Sequence, residues 1–366
     1  MKIDFYCHPG SNSFVFTPPD VWGRGVGGAE LSLISLAETF AKDGHRVRVY
    51  NEPYNNRMED CSGRYNGVYY LNSTLFNLSK DRDVFILFRN PYPYLQGVNA
   101  RVKLFWSCDQ VTTGNYATDI YPFVDKGVCI SLFHQEDHIE RYGVSNDKIT
   151  WIDLGVRLED YVDPLPKVKG RLIFCSVPHR GLQWLLPIYQ TLKVLHRDIT
   201  LHITSDYTLW GRGIGPNDTD MRTMWRDVSG VDYLGNIPRR SFIEQQKRAE
   251  LLIYPHYPVS GYPELFGISV AECMAAGTVP IISTQGGLNM TATGAIVING
   301  DPRDPDIQFR YIEAASFYLR YPNRMDEAAK YCQSMANRRF DWTTIAKQWY
   351  NLFEEILNGR NQKQPV

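Results

Sequence analysis

Short apolar runs alternate with helix-period segments along most of the chain. KIDFYC, RVRVYN, VFILF, VKLFWSC and GVCISL have the length and β-branched or aromatic content of buried strands. Between the first two, GGAELSLISLAETFAKDGH places Leu33, Ile34, Ala37, Phe40 and Ala41 at helical spacing, and Gly44 ends the segment. FHQEDHIERYG reads as a helix closed by Gly143. Around residues 159–170, EDYVDPLPKVKG is rich in Pro and charge and breaks the pattern. The alternation then restarts with RLIFCSV, GLQWLLPIYQTLKVLH, ITLHITS, LLIYP, a helix from about Phe266, and TVPIIST. An amphipathic helix, WTTIAKQWYNLFEEIL, comes last. Repeated strand–helix units predict parallel sheets and two doubly wound α/β domains, at residues 1–165 and 166–344, plus a terminal helix at about 345–366.

Bulk properties narrow the function. A chain of 366 residues is too long for one core. Its net charge of −1 lacks the basic excess of a nucleic-acid binder. Seven scattered cysteines, never in CxxC spacing, favour free thiols in a reducing, cytoplasmic setting over disulfides or a zinc site. The N-terminus has too short an apolar run for a signal peptide, and no 18-residue apolar stretch predicts a membrane span.

GRGVGG, Gly23 to Gly28, matches G-x-G-x-x-G literally. About 15 residues separate it from the first strand, too many for a tight dinucleotide turn. A nicotinamide or flavin site, a bare connection, and a phosphate- or substrate-facing loop at a helix N-terminus all remain open.

YPELFGISVAECMAAG holds Glu264 and Glu272 eight positions apart, the second inside an apolar helix where an unpaired charge costs several kcal/mol. The first turn of such a helix offers free N–H groups and partial positive charge to a diphosphate. The two carboxylates, roughly 10–12 Å apart, span a ribose-to-sugar distance. The alternative is a buried ion pair of Glu272 with Arg248 or Arg180.

At these residues the sequence resembles the retaining GT-B glycosyltransferases with an E-x7-E signature (the family 4-like, group 1 transferases). GVGGAE, LFWSCDQ, CISLFHQEDHIERYGVSNDKITWIDLGV, LGNIPRRSFIEQQKRAELLIYP and FDWTTIAKQW agree with that family in order and spacing. The resemblance implies two Rossmann-like domains facing a central cleft, the last helix crossing back onto the first. It implies that Glu272 holds the ribose of a nucleotide-sugar, Glu264 faces the donor sugar, and the N–H groups of Phe266, Gly267 and Ile268 bind phosphate. Ile237 and Pro238 would flank the base, while Gly27 and Gly28 lie near the diphosphate and acceptor. In CSVPHRGLQWLL, Arg180 takes the position of the family's Lys, but Cys175 stands where an Arg is expected. In WSCD, Cys108 replaces a frequent His, which leaves Asp109 only weakly implicated.

The implied reaction is sugar transfer, with retention, from a UDP- or GDP-sugar to a glycan, lipid-linked or other hydroxyl acceptor. It needs no cofactor and no protein nucleophile. No acidic metal motif stands at a strand end, Asp218-x-Asp220 lying in a loop-like stretch, so no metal is expected. His8, at the end of strand one, is a candidate acceptor contact. His134 and His138 have i, i+4 zinc-ligand spacing, but no third ligand is apparent and a solvated or capping role is expected. Peripheral membrane contact is open to such enzymes, though no basic amphipathic helix calls for it. Two other functions stand beside this one: a nucleotide-sugar-binding protein with little turnover, and a Rossmann oxidoreductase.

Overall fold

Fourteen strands are described, and they form two sheets. The computed structural model describes residues 1–366 except 10–14, 24, 56–57, 112–113, 205, 211–215, 259–260 and 363–366. At 209–210, 216–218 and 361–362 only the backbone is described. The chain divides into two units, 1–20 with 29–155 and 342–366, and 21–28 with 156–341. The division at 155/156 comes before the expected 165/166. The Pro-rich segment packs within the second unit, where the Tyr161 hydroxyl donates to Gln246 and the Val168 amide to the Arg248 carbonyl.

The first unit holds β1 (Lys2–Tyr6), β2 (Arg46–Asn51), β3 (Gly63–Tyr65), β4 (Val68–Asn72), β5 (Val84–Phe88), β6 (Val102–Trp106), β7 (Lys126–Cys129) and β8 (Ile149–Trp151). Their order is β3-β4-β2-β1-β5-β6-β7-β8, parallel except for the β3–β4 hairpin. Its helices are α1 (Gly28–Lys42), whose first residue, Gly28, falls in the second unit, α2 (Tyr116–Asp119) and α3 (Leu132–Tyr142). α1 buries Leu33, Ile34, Ala37 and Phe40 as the spacing predicts, and also Leu31 and Leu36. Gly143 caps α3 at φ 62°, a left-handed turn that favours glycine.

The second unit holds β9 (Arg171–Phe174), α4 (Leu182–Leu195), β10 (Thr200–Thr204), α5 (Pro216–Trp225), β11 (Val231–Gly235), α6 (Arg239–Arg248), β12 (Leu251–Tyr254), α7 (Ile268–Ala275), β13 (Val279–Ser283), α8 (Leu288–Thr291), β14 (Ile296–Ile298), α9 (Pro305–Arg320) and α10 (Pro322–Arg339). Its all-parallel sheet runs β11-β10-β9-β12-β13-β14. Asp218 and Asp220 lie on α5, not in a loop, and the Asp218 side chain is outside the described residues. The final helix, α11 (Trp342–Gln362), belongs to the first unit. There Trp349 meets Trp106, Phe353 meets Phe40, and Tyr350 donates to Asp43.

One ion cluster fixes the first sheet from beneath. Asp4 on β1 is wholly buried, takes a forked pair of hydrogen bonds from Arg48 (2.6 and 2.8 Å), and a third from Arg82 at 3.0 Å. Arg82 also donates to the carbonyls of Asn77, Leu78 and Asn99, and its guanidinium lies over Phe76. The Arg82 donors thus meet carbonyl or carboxylate acceptors. Arg48 Nη1 is buried with no hydrogen-bond partner among the described groups, its guanidinium lying over the Tyr50 ring.

Candidate functional site

Among the parallel strands of each sheet the order reverses once, and at such a point two loops diverge beyond the strand ends and leave a crevice. The reversal falls between β1 and β5 in the first unit, and between β9 and β12 in the second. Most of the candidate residues gather at these two places.

In the second unit, Arg180 follows β9, Tyr254 ends β12, and Glu264 precedes α7. Arg180 Nη1 pairs with Glu264 Oε2 at 2.5 Å, and the Tyr254 hydroxyl donates to the same oxygen at 2.9 Å. Ser176 holds that hydroxyl from the other side at 3.0 Å. Burial alone would raise the Glu264 carboxyl, but Arg180 first, then His256, Tyr254 and the Phe266 amide, hold it below its usual range. Glu264 is therefore ionised at neutral pH.

The glycines serve this geometry. Gly267 caps α7 at φ 85°, with an added Cβ 2.7 Å from Leu288. Gly286, at φ 63°, would place a Cβ 2.1 Å from the Glu264 carbonyl oxygen, the same oxygen that accepts from the Gly287 amide. Gly181 would clash with the Pro255 carbonyl at 2.5 Å. The turn after β13 thus clamps the backbone of Glu264, and Gly181, Gly267 and Gly286 hold left-handed backbone where a side chain would be strained.

Because the Phe266 amide faces the Glu264 carboxylate, the α7 N–H groups left for an anion are those of Gly267, Ile268 and Ser269. These make no backbone hydrogen bond among the described residues. Gly28 belongs to this unit, where an added Cβ would lie 2.8 Å from Ile268 Cγ2. Its neighbour Gly27 is buried in the same segment.

Glu272 is buried on α7 and pairs with Arg239 at 2.8 Å. The partner is neither of the two arginines weighed from the sequence: Arg248 pairs with Glu244 and Arg180 with Glu264. Arg239 also meets Asp160 at 3.2 Å. It directly follows Ile237 and Pro238, so the ion pair draws that segment to Glu272. Asp206 fixes the same segment by accepting from Arg222 (2.7 Å) and the Asn236 amide (3.3 Å). Cys175 faces Cys273 of α7, sulfur to sulfur 3.6 Å, and is buried.

In the first unit, Arg89 follows β5 in a left-handed conformation, φ 64°, uncommon for a residue with a side chain. It forks onto Asp109 at 2.6 and 2.8 Å and reaches Glu30 with its third nitrogen. His8 lies alongside, its carbonyl accepting from Asn90 at 2.9 Å and its ring against Tyr92. Burial lowers the His8 pKa. Cys108 is a strand-end thiol that burial pushes well above its ordinary value.

His134 and His138 are fully buried, not solvated, and the Cys129 thiol lies with them, so a third ligand type is present after all. Hydrogen bonding accounts for all four ring nitrogens. His134 Nε2 donates to the Asp109 carbonyl (3.1 Å), and His138 Nε2 to Ser107 Oγ (3.2 Å). Their Nδ1 atoms accept from the Ile130 amide (3.4 Å) and the Tyr121 hydroxyl (2.8 Å). The pair thus buttresses the backbone that carries Asp109.

Burial lowers His134 to about 4 and His138 to about 3, with His134 adding to the latter. The unfolded chain binds protons that these rings refuse below about pH 6.5, so stability falls with pH through that window. Urea unfolding at stepped pH should show this loss, on the order of a few kcal/mol by pH 4. His138→Gln should flatten the slope by about one proton equivalent.

No protein-family model matches the chain, and no curated protein matches it. Solved structures do. A glycosyltransferase from Rickettsia africae ESF-5 is similar over 97% of this chain and 98% of its own, with 15% identity and a TM-score of 0.71. Sucrose-phosphate synthase from Thermosynechococcus elongatus aligns over 98% and 100%, at 14% identity and 0.71. Anabaena HepE, solved in complex with UDP-glucose, aligns over 97% and 100%, at 15% identity and 0.66. The fold is GT-B. Two parallel-sheet, Rossmann-like domains, expected from the strand–helix alternation, are what this chain shares with these transferases.

Arg89, Glu30, Tyr254, Ser176 and Arg239 join the site without standing out individually in the sequence. Each stands at or beside a strand or helix end, the signal that could have marked them; Glu30 lies within the GGAE already singled out.

Proposed function

We propose that this protein is a retaining glycosyltransferase that moves a sugar from a nucleoside-diphosphate donor to a hydroxyl acceptor without a metal ion. One observation carries the reading: an ionised, buried Glu264, gripped by Arg180 and Tyr254, immediately ahead of the N–H groups that open α7, which make no backbone hydrogen bond among the described residues. A carboxylate there accepts from donor-sugar hydroxyls, and the adjoining N–H groups and guanidinium suit a diphosphate. UDP-glucose in the Anabaena structure supports a nucleotide-sugar of this kind.

In the proposed reaction, the bond from the anomeric carbon to the diphosphate oxygen breaks while the acceptor oxygen bonds to that carbon on the same face. The acceptor proton passes to a donor phosphate oxygen. Charge accumulates on the leaving diphosphate, where Arg180 and the N–H groups of Gly267, Ile268 and Ser269 stabilise it. Glu272, oriented by Arg239, accepts from the ribose hydroxyls, with the base against Ile237 and Pro238. Gly27 and Gly28 face the phosphates, and His8 and Asp109 the acceptor. Among the described residues no helix is long and apolar enough to cross a membrane.

Calorimetry with UDP-, GDP- and ADP-sugars tests the donor class. Glu272→Ala should abolish donor binding while thermal unfolding still shows a folded protein. Retained donor affinity would confine Glu272 to its ion pair with Arg239. The turning of Cys175 toward Cys273 favours a second reading, a nucleotide-sugar binder with little turnover. Release of free sugar or transfer to mixed acceptors separates the two. Binding of NAD(P) instead of any nucleotide-sugar would point to the oxidoreductase.

A further inference from the structure

The Pro- and charge-rich segment at 159–170 does more than pack within the second unit, because one of its acids reaches the ion pair on α7. We infer that Asp160 is a positioning residue for the nucleotide ribose: by drawing one arm of Arg239 away from Glu272, it keeps a Glu272 oxygen open to a vicinal diol. This inference rests on the transferase reading above and deepens it.

The placement of the guanidinium carries the argument. Arg239 opens α6 and is buried together with both of its acids, 8% of its side-chain surface staying open against 6% for Asp160 and 5% for Glu272. A guanidinium that faces one carboxylate commonly forks onto it with two parallel N–H bonds. Arg239 does not. Nη1 meets Glu272 Oε1 at 2.8 Å, while Nη2 turns to Asp160 Oδ2 at 3.2 Å, and the buried Nε finds no partner. Glu272 thus engages one oxygen, and no other hydrogen bond to its carboxylate is made among the described residues. A carboxylate oxygen so placed accepts from hydroxyl donors, which a ribose supplies as a neighbouring pair.

Other contacts hold Asp160 where it can act. It ends the 3₁₀ turn Leu158–Asp160, its amide donating to the Arg157 carbonyl at 3.0 Å. The next residue, Tyr161, donates to Gln246 of α6 at 2.7 Å, with Lys247 over its ring. Gln246 in turn directs its amide at Cys273, the neighbour of Glu272. The turn, α6 and α7 are therefore tied together around the ion pair. The place of Arg239 on its helix adds to the need for two acids. A helix start carries free N–H groups and partial positive charge, which disfavour a cation there.

The test is calorimetry on the full chain with UDP, GDP and ADP, each beside its 2′-deoxy and 3′-deoxy forms. The wild type should bind its ribonucleotide about tenfold more tightly than the deoxy forms, the size of one or two lost hydrogen bonds. Asp160→Ala releases Nη2 to fork onto Glu272 and should cut that preference about fivefold, with deoxynucleotide affinity unchanged. Asp160→Asn loosens the hold on Nη2 and should cut it about two- to threefold, which decides the matter if Asp160→Ala does not fold. In an Arg239→Ala background, Asp160→Ala should leave the ratio as it is, since Asp160 acts only through the guanidinium.

Equal loss of ribo- and deoxynucleotide affinity would mark Asp160 as a fold residue and overturn the inference. So would the full wild-type preference in both Asp160 variants, or a further change in the Arg239→Ala background. Failure of every nucleotide to bind, or equal wild-type affinity for ribo and deoxy forms, would instead bring down the assignment of Glu272 to the ribose.

Discussion

Arg180→Ala is expected to lower turnover by about 10²–10³-fold, the size seen when one preorganised donor to a developing anion is removed. In the proposed reaction donor affinity should change far less, because the leaving diphosphate gains charge only as the bond breaks. A second consequence follows from the ion pair. Arg180 is the strongest influence holding Glu264 ionised against its burial. Without it, the Glu264 carboxyl should rise, and the acid limb of the kcat/KM profile should shift to higher pH. Stopped-assay kinetics across pH read both effects, and Arg180→Lys should recover part of the turnover. Wild-type turnover in Arg180→Ala would remove the assignment. A parallel fall of kcat and donor affinity would show that Arg180 binds ground state and transition state alike.

The largest effect on stability is expected at Asp4. Asp4→Ala leaves Arg48 and Arg82 buried without their common carboxylate, and removing one member of such a cluster costs about 3–5 kcal/mol. Hydrogen exchange should register the loss in peptides of β1, β2 and β5, which are adjacent in the sheet. Replacing all three, as Asp4→Leu with Arg48→Met and Arg82→Met, should recover much of it, since no charge is then stranded. If Asp4→Ala unfolded at the wild-type urea midpoint, the cluster would not stabilise the sheet. The nucleotide binding proposed for the second unit should persist in the folded fraction.

How much of this was legible beforehand depended on whether the signal was local. The Gly143 cap and the α1 core face rest on helical period and turn chemistry, which neighbouring residues set by themselves. The apolar surroundings of Glu272 on α7 announced a buried charge and hence a partner. They did not say which arginine. Arg239, Arg248 and Arg180 all lie at plausible sequence positions, and the choice waits on how α6 lies against α7. Asp4 gave no signal at all, being one acid in a strand, because both its partners arrive across the sheet from residues 48 and 82.

The histidines show the same limit. The spacing of His134 and His138 placed them on one helix face, and nothing in the spacing told a solvated face from a buried one. Burial was decided by Ser107, Tyr121 and Cys129, which come from other elements. The chain's own pattern therefore determined the two-domain parallel α/β fold and the α7 start, since strand length, helical period and glycine conformation act over a few residues. Only the tertiary structure decided which charges meet, because an ion pair depends on elements distant in sequence and adjacent in space. Glu264 with Arg180, Glu272 with Arg239, and Arg89 with both Glu30 and Asp109 are all choices of that second kind.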